Sequence, residues 1–157
     1  MTYAIRPATT DDMPLVLDSW VKSFRMPRPR KVTGCGPVGD DTYVELGADG
    51  KRMLAPNVWG AALTWTVERL AERSAIAIAY HPTHPEVVVG WVAFENEGDV
   101  TTLHYAWVRP KFRLEGVARL LLATVRELHE DTTLRASFMT RDGKDMLRRL
   151  APNEVER

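Results

Sequence analysis

The chain has 157 residues, a length that suits one domain with a buried core. Its 21 basic and 21 acidic residues give a formal net charge of zero, which argues against a protein that binds nucleic acid by neutralising phosphates. The single cysteine excludes an intramolecular disulfide. The sequence shows neither a secretion signal nor an apolar run near the roughly 20 residues that span a bilayer. We therefore expect one cytoplasmic domain over residues 1–157 with no membrane partner.

The first half of the chain predicts one strand and two helices around a long irregular segment. The elements are a strand at 3–6, a helix at about 11–24 and a helix at about 58–73. Thr10 or Asp11 is expected to cap the first helix. Glycines and prolines interrupt residues 26–57, within which residues 42–46 form either a strand or a helical turn. Irregular loops of this length are often functional.

The second half predicts a β-rich centre and then a strand–helix–strand crossover. The elements are strands at 75–80, 87–94 and 100–108, a helix at about 116–129, a strand at 133–138 and a short helix at 142–150. Turns at 81–85 and 95–99 join the central strands, which are therefore expected to be antiparallel. The whole order predicts an α+β domain with a mixed, mostly antiparallel sheet flanked by helices.

The connection between the strand at 100–108 and the next helix has the features of an anion site. It contains the pattern Arg113-x-x-Gly116-x-Ala118 directly before a helical apolar face. The first N–H groups of a helix lack intrahelical partners and carry partial positive charge. Because Gly116 has no side chain, a ligand can approach the backbone there. The sequence therefore predicts a diphosphate held mainly by main-chain donors.

This connection resembles the pyrophosphate loop of the GNAT superfamily of acyl-CoA-dependent N-acyltransferases, which reads Gln/Arg-x-x-Gly-x-Gly/Ala. Arg113, Gly116 and Ala118 match that pattern, and Val108-Arg109-Pro110 ends the preceding strand as it does in many members. The opening Ile5-Arg6-Pro7-Ala8 and the element order up to about residue 150 also agree. The resemblance implies a GNAT-like fold with a shortened C-terminus, because the last two strands common in the family are missing.

The resemblance also implies a ligand and a reaction. The chain would bind acetyl-CoA, or a close relative, and transfer the acyl group to a primary amine of an acceptor. The acyl-CoA would lie in a V-shaped gap between the diverging strands 100–108 and 133–138, with its pantetheine paired to the backbone of Trp107 and Val108. The residues expected around the pyrophosphate are Arg113, Leu114, Glu115, Gly116, Val117, Ala118 and Arg119. The carboxylate of Glu115 is expected to point outward, since it would repel a phosphate.

Direct attack by an amine needs a group that takes its proton. In several family members a glutamate on the strand before the loop is this base, and Thr102 stands at that position here. His104 lies two residues further on, hence on the same face of a regular strand, and histidine's ordinary pKa of about 6.5 suits a base. A strand histidine satisfied by a neighbour is the alternative. Tyr105 is expected to face the other way as a core residue, unless a β-bulge shifts the alternation.

The leaving thiolate needs an acid, and the family's usual tyrosine is replaced by Leu147. We take Ser137 as the candidate acid, with Tyr80, Tyr105 and water as alternatives. The missing tyrosine favours a second interpretation, a non-catalytic acyl-CoA-binding or protein-interaction module on the same scaffold. Residues 26–57 are expected to border the acceptor site, a homodimer stays open, and no metal is expected, since the chain lacks ligands at metal spacing.

Overall fold

The computed structural model describes residues 3–24, 44–46, 52–54 and 56–137. Its elements are β1 (Ala4–Pro7), α1 (Met13–Phe24), β2 (Val44–Leu46), β3 (Arg52–Leu54), α2 (Pro56–Arg73), β4 (Ala75–His81), β5 (His84–Glu97), β6 (Val100–Val108), α3 (Val117–Leu128) and β7 (Thr133–Ala136). Short 3-10 turns at Thr10–Asp12 and Pro110–Phe112 precede α1 and follow β6. The predicted helix at 142–150, and most of the segment at 26–57, lie outside the described residues.

Five strands form one sheet in the order β1-β4-β5-β6-β7, and β2 and β3 form a separate antiparallel pair. The neighbours in the larger sheet are antiparallel except β6 and β7, which are parallel, with α3 between them in the chain. The predicted α+β class with a mixed, mostly antiparallel sheet is therefore confirmed. The ambiguous residues 42–46 contain a strand, β2, over Val44–Leu46.

Helices cover both faces of the five-stranded sheet. One apolar cluster joins α3 to the sheet and includes Val117, Leu121 and Val125. The other cluster joins α1 and α2 to the opposite face through residues such as Trp20 and Val67. Alternate residues of each strand supply the two clusters because successive side chains of a strand point to opposite faces. No helix in the described part of the chain is long and apolar enough to span a membrane.

A two-residue turn, Gly98–Asp99, joins β5 to β6. The ladder ends with Glu97 opposite Val100, so the predicted turn at 95–99 is too long. Gly98 has a φ of 64°, the positive value that the first central residue of a type II′ hairpin turn requires. As a consequence Glu95 lies inside the ladder, opposite Thr102.

A β-bulge interrupts β6 at His104. Phe94 of β5 faces Leu103 and its neighbour Ala93 faces Tyr105, so His104 is the extra residue between them. The bulge shifts the alternation, and the Tyr105 side chain packs with the α1–α2 cluster. The prediction that Tyr105 faces away from His104 is therefore wrong, and the bulge is the reason.

The start of the first helix is fixed by Asp12. Its carboxylate accepts hydrogen bonds from the N–H and the hydroxyl of Thr9, at 2.7 and 2.9 Å. It also makes a bidentate pair with the Arg6 guanidinium, at 2.6 and 2.8 Å. The capping residue is therefore Thr9 rather than Thr10 or Asp11. The Arg6 guanidinium holds the pKa of Asp12 well below its ordinary value, although burial acts in the opposite direction.

Asp12→Asn is expected to lower the free energy of unfolding by about 2 kcal/mol at neutral pH, because an amide cannot replace these charge-assisted bonds. The folded-state pKa lies below the unfolded value of about 4, so the contribution is complete above that value and is lost as the pH falls toward the folded-state value. Urea unfolding at neutral and acidic pH should show that the difference in unfolding free energy between the variant and wild type decreases on acidification. Asp18→Asn, which breaks an exposed pair with Lys22, is the control, and an equal loss there would contradict the assignment.

Candidate functional site

The connection from β6 to α3 presents unpaired backbone donors. Leu114 and Gly116 have φ values of 68° and 83°, so the chain turns sharply through the left-handed region before the helix. The first intrahelical bond runs from the Leu120 N–H to the Gly116 carbonyl at 2.9 Å. The N–H groups of residues 117–119 therefore have no intrahelical acceptor. With the positive end of the helix dipole they form a site suited to an anion.

Two charged side chains of this loop are held by neighbouring elements. The Arg113 Nε donates to the Val108 carbonyl at 3.3 Å, which keeps the guanidinium beside the loop. The carboxylate of Glu115 accepts a hydrogen bond from the hydroxyl of Tyr3, just before β1. This bond raises the pKa of Tyr3, and the Tyr3 ring packs edge-on against Phe112. The Glu115 carboxylate is therefore held by the residue that precedes the first strand.

The strand β6 extends beyond its pairing with β7. The register ends with Leu103 opposite Ala136, and the Ser137 N–H donates to the Leu103 carbonyl at 2.9 Å. Within the residues that the structure describes, no strand pairs with β6 on this side from His104 to its end. Among the described residues, a strand edge without a partner therefore leads directly into the loop whose N–H groups at 117–119 lack intrahelical acceptors.

The direction of one hydrogen bond shows which groups face this open edge. The Arg109 N–H donates to the Val89 carbonyl of β5 at 2.8 Å. Backbone groups of successive strand residues point to opposite sides. Those of Val108 and Ala106 therefore face the open edge, whereas those of Trp107 face β5. The sequence predicts Trp107 together with Val108, but two consecutive residues cannot both face one edge, so Ala106 accompanies Val108 there.

His104 lies where the pairing of β6 with β7 stops. It is 8% exposed, and its Nε2 is 3.2 Å from Oε2 of Glu95. Its Nδ1 is buried and has no hydrogen-bond partner in the described structure. Since Glu95 pairs with Thr102 across the ladder, the His104 ring reaches the same face as Thr102, as the spacing predicted.

The sequence did not identify Glu95 as part of the site. Its carboxylate accepts three hydrogen bonds from the guanidinium of Arg73, the last residue of α2, at 3.0, 3.0 and 3.1 Å. The guanidinium holds the pKa of Glu95 below its ordinary value. The sequence predicts a turn at 95–99, which would place Glu95 outside the strand. Reading Gly98–Asp99 as a two-residue hairpin turn would have placed it there.

Ser137 lies beside His104 at the end of the β6–β7 pairing. The parallel register, continued by one residue past its last pair, places Ser137 next to His104. Leu134 and Ala136 pack on the α3 side, so alternation directs Ser137, which is exposed, to the opposite face with His104. Tyr80 lies on β4, two strands away from β6. Of these two candidate acids, only Ser137 is near the open edge.

Gly90 of β5 sets how closely α3 approaches the sheet. A Cβ at this position would lie 2.8 Å from the Trp107 carbonyl oxygen and 3.0 Å from Cγ1 of Val117. Val117 is the first residue of α3. The absence of a side chain at Gly90 therefore fixes where the unpaired N–H groups stand.

The other histidines lie at the turn between β4 and β5 or at the end of α3. The rings of His81 and His84 are 5.6 Å apart, and His84 pairs with Glu86 at 3.4 Å. Over residues 3–24, 44–46, 52–54 and 56–137, no group of three or more His, Cys, Asp or Glu side chains could hold a metal ion.

Comparisons with known proteins identify the fold. No protein-family model and no curated protein sequence matches the chain. A GNAT-family protein from Desulfovibrio desulfuricans matches with a TM-score of 0.55 and 14% identity, over 96% of this chain and 82% of that one. A Corynebacterium glutamicum protein named as histone acetyltransferase HPA2 and related acetyltransferase matches with a TM-score of 0.59 and 15% identity, over 96% and 84%. The aminoglycoside N-acetyltransferase AAC(6')-Iy, solved with CoA, matches with a TM-score of 0.57 and 17% identity, over 99% and 91%. The chain therefore has the GNAT fold that the sequence predicted.

Proposed function

We propose that the chain is a GNAT N-acetyltransferase that moves an acetyl or short acyl group from acyl-CoA to a primary amine by direct attack. One observation carries the proposal: the open edge of β6 runs into the loop whose N–H groups at 117–119 lack intrahelical acceptors. A strand edge suits an extended chain of amides, and the loop suits a diphosphate. Acyl-CoA joins these two chemical groups in one molecule.

The loop and the strand edge bind different parts of the acyl-CoA. The pyrophosphate accepts hydrogen bonds from residues 117–119, and the Arg113 guanidinium adds positive charge beside them. The pantetheine amides pair with the backbone of Ala106 and Val108, as an added strand does in β-augmentation. The fold's likeness to an aminoglycoside N-acetyltransferase solved with CoA supports this assignment.

His104 and Ser137 supply the proton transfers. The amine nitrogen attacks the thioester carbonyl carbon, so that the C–N bond forms and the C–S bond breaks. His104 takes the proton that the amine loses, directly or through one water. The thiolate of CoA takes a proton from water, either directly or through the Ser137 hydroxyl, which regains its proton from water in the same step. Both residues lie on the α1–α2 face at the end of the β6–β7 pairing, so we expect the acceptor to approach from that side.

Titration calorimetry followed by a turnover assay tests the proposal. Acetyl-CoA should bind with a Kd in the micromolar range, and a thiol reagent should detect CoA release that depends on an added amine. The panel should include simple alkylamines, an aminoglycoside, a peptide with a free N-terminus and a lysine peptide. Binding without amine-dependent CoA release would indicate a non-catalytic acyl-CoA-binding module. Folded protein that gives no heat with any acyl-CoA would overturn the proposal.

Gly90→Ala is expected to weaken acetyl-CoA binding roughly tenfold, which corresponds to losing about one hydrogen bond to a charged phosphate. The added methyl would lie 2.8 Å from the Trp107 carbonyl oxygen and 3.0 Å from Cγ1 of Val117, so β6 and α3 both shift and the N–H groups of α3 move with them. Gly98→Ala is the matched control, because a Cβ at Gly98 meets nothing within 4 Å and the turn lies outside the site. Calorimetry on both variants checks the result, and equal affinities would show that the position of α3 does not matter for binding.

A further inference from the structure

Side chains from three elements contact one another in sequence, and the last of them, His104, has a ring nitrogen without a hydrogen-bond partner in the described residues. Arg73 at the end of α2 binds Glu95 of β5 through three hydrogen bonds, and Glu95 meets Nε2 of His104 at the bulge of β6. The other ring nitrogen, Nδ1, is buried without a polar partner in the described residues. Buried polar atoms are nearly always hydrogen-bonded, so this one requires an explanation.

We propose that Glu95 is a positioning residue that holds His104 as the Nε2–H tautomer, so that Nδ1 is the atom that accepts the amine proton. Arg73 positions Glu95 in turn. The inference rests on the proposed function and adds to it a named base atom and two residues that act through His104. A carboxylate that binds one ring nitrogen fixes the proton there and leaves a lone pair on the other.

Glu95 itself is a poor base in this arrangement. Three hydrogen bonds from Arg73 occupy its oxygens, and the same guanidinium holds the pKa of Glu95 below its ordinary value. A proton offered by an amine at neutral pH is therefore not retained on this carboxylate. The neighbouring imidazole keeps a lone pair on Nδ1 and lies where the pairing of β6 with β7 ends.

A purely structural tie between α2 and β5 would not need the histidine. Arg73 also approaches Glu97 at 3.7 Å, so two carboxylates of β5 are available to anchor the end of the helix. Burying a ring nitrogen without a partner lowers stability. An acceptor amine, or a water that relays its proton, supplies the missing donor to Nδ1 when substrate is bound.

Two charged residues act on the His104 ring. In the described structure the ionised group that contacts the His104 ring is Glu95 of β5, and Arg73 of α2 acts on the ring through it. Tyr105, the next residue of β6, packs against Trp20 and Trp91 in the aromatic cluster. When the imidazole takes the amine proton, the carboxylate stabilises the cation. The proton then passes to solvent as the C–S bond breaks and the CoA thiolate is protonated.

Glu95→Gln and Glu97→Gln form a matched pair that tests this inference. Glu95→Gln should lower kcat roughly tenfold or more, a part of the 10²-fold or larger contribution of a general base, while the KM for acetyl-CoA stays unchanged. Glu97→Gln removes a carboxylate that approaches Arg73 but not His104, so it should keep the wild-type rate. Glu95→Asp should recover part of the rate.

Nitrogen-15 NMR of the histidine side chains tests the same inference without turnover. At neutral pH the wild-type His104 signal should have the shifts of the Nε2–H tautomer, and Glu95→Gln should weaken that preference. A neutral Nδ1–H tautomer in wild type, or equal kinetic losses in the two glutamine variants, would overturn the inference and leave the proposed function standing. A wild-type protein with no amine-dependent turnover would overturn both.

Discussion

Replacing His104 with alanine is expected to lower kcat roughly 100-fold or more, the usual scale for losing a general base, with acetyl-CoA affinity unchanged. The ring lies where the pairing of β6 with β7 ends, away from the 117–119 donors that would hold the phosphates. Steady-state kinetics over a range of pH, together with calorimetry, checks both parts.

His84→Ala is the control for this variant. His84 lies at the distant turn between β4 and β5, where its side chain is 64% exposed, so its loss should change neither rate nor pH profile. A His104→Ala protein with the wild-type rate and pH profile would show that the ring is only a packed strand residue. Proximity and a water chain to solvent would then have to account for the chemistry.

Replacing Gly116 with leucine is expected to weaken acetyl-CoA binding at least roughly 100-fold, which corresponds to losing about two hydrogen bonds to a charged phosphate. A Cβ at Gly116 meets no atom within 4 Å, so the new side chain occupies open space beside the loop donors. The fold should survive, because Leu114 already shows that this loop accommodates leucine at positive φ. The cost in unfolding free energy should be about 1–2 kcal/mol.

Gly98→Leu separates this effect from backbone strain. Gly98 also has a positive φ, 64°, and open space around it, but it lies in the turn between β5 and β6. The two variants should therefore lose similar stability, and only Gly116→Leu should lose the ligand. Calorimetry and urea unfolding on both proteins make the comparison, and retained affinity in Gly116→Leu would exclude the loop as the phosphate site.

Local patterns were sufficient to predict most of the fold. The apolar strands β4 and β5 and the helical spacing of Val117, Leu121 and Val125 follow the periodicities that burial on one or both faces imposes. The cap of α1 was placed at Thr10 or Asp11 rather than at Thr9, because the choice depends on Arg6. That residue lies on β1 and reaches Asp12 only after the strand and the helix have packed together.

The candidate site was predicted in part. The loop from Arg113 to Ala118 could be predicted because its chemistry lies in the backbone and follows from the position of a glycine before a helix. The bulge at His104 could not, since it depends on how Ala93 and Phe94 pair across the ladder and not on the local residues of β6. For the same reason the contact of His104 with Glu95 appears only in the folded sheet.

The hydrogen bond between Tyr3 and Glu115 has a consequence for how affinity measurements on variants are compared. It links the loop between β6 and α3 to the residue that precedes β1, so a change to the chain beside Tyr3 acts on a loop residue 112 positions further along the sequence. We expect variants that alter the residues next to Tyr3 to disturb measured acetyl-CoA affinities. Tyr3→Phe keeps the ring against Phe112 but releases the carboxylate, and is therefore a convenient reference for such variants.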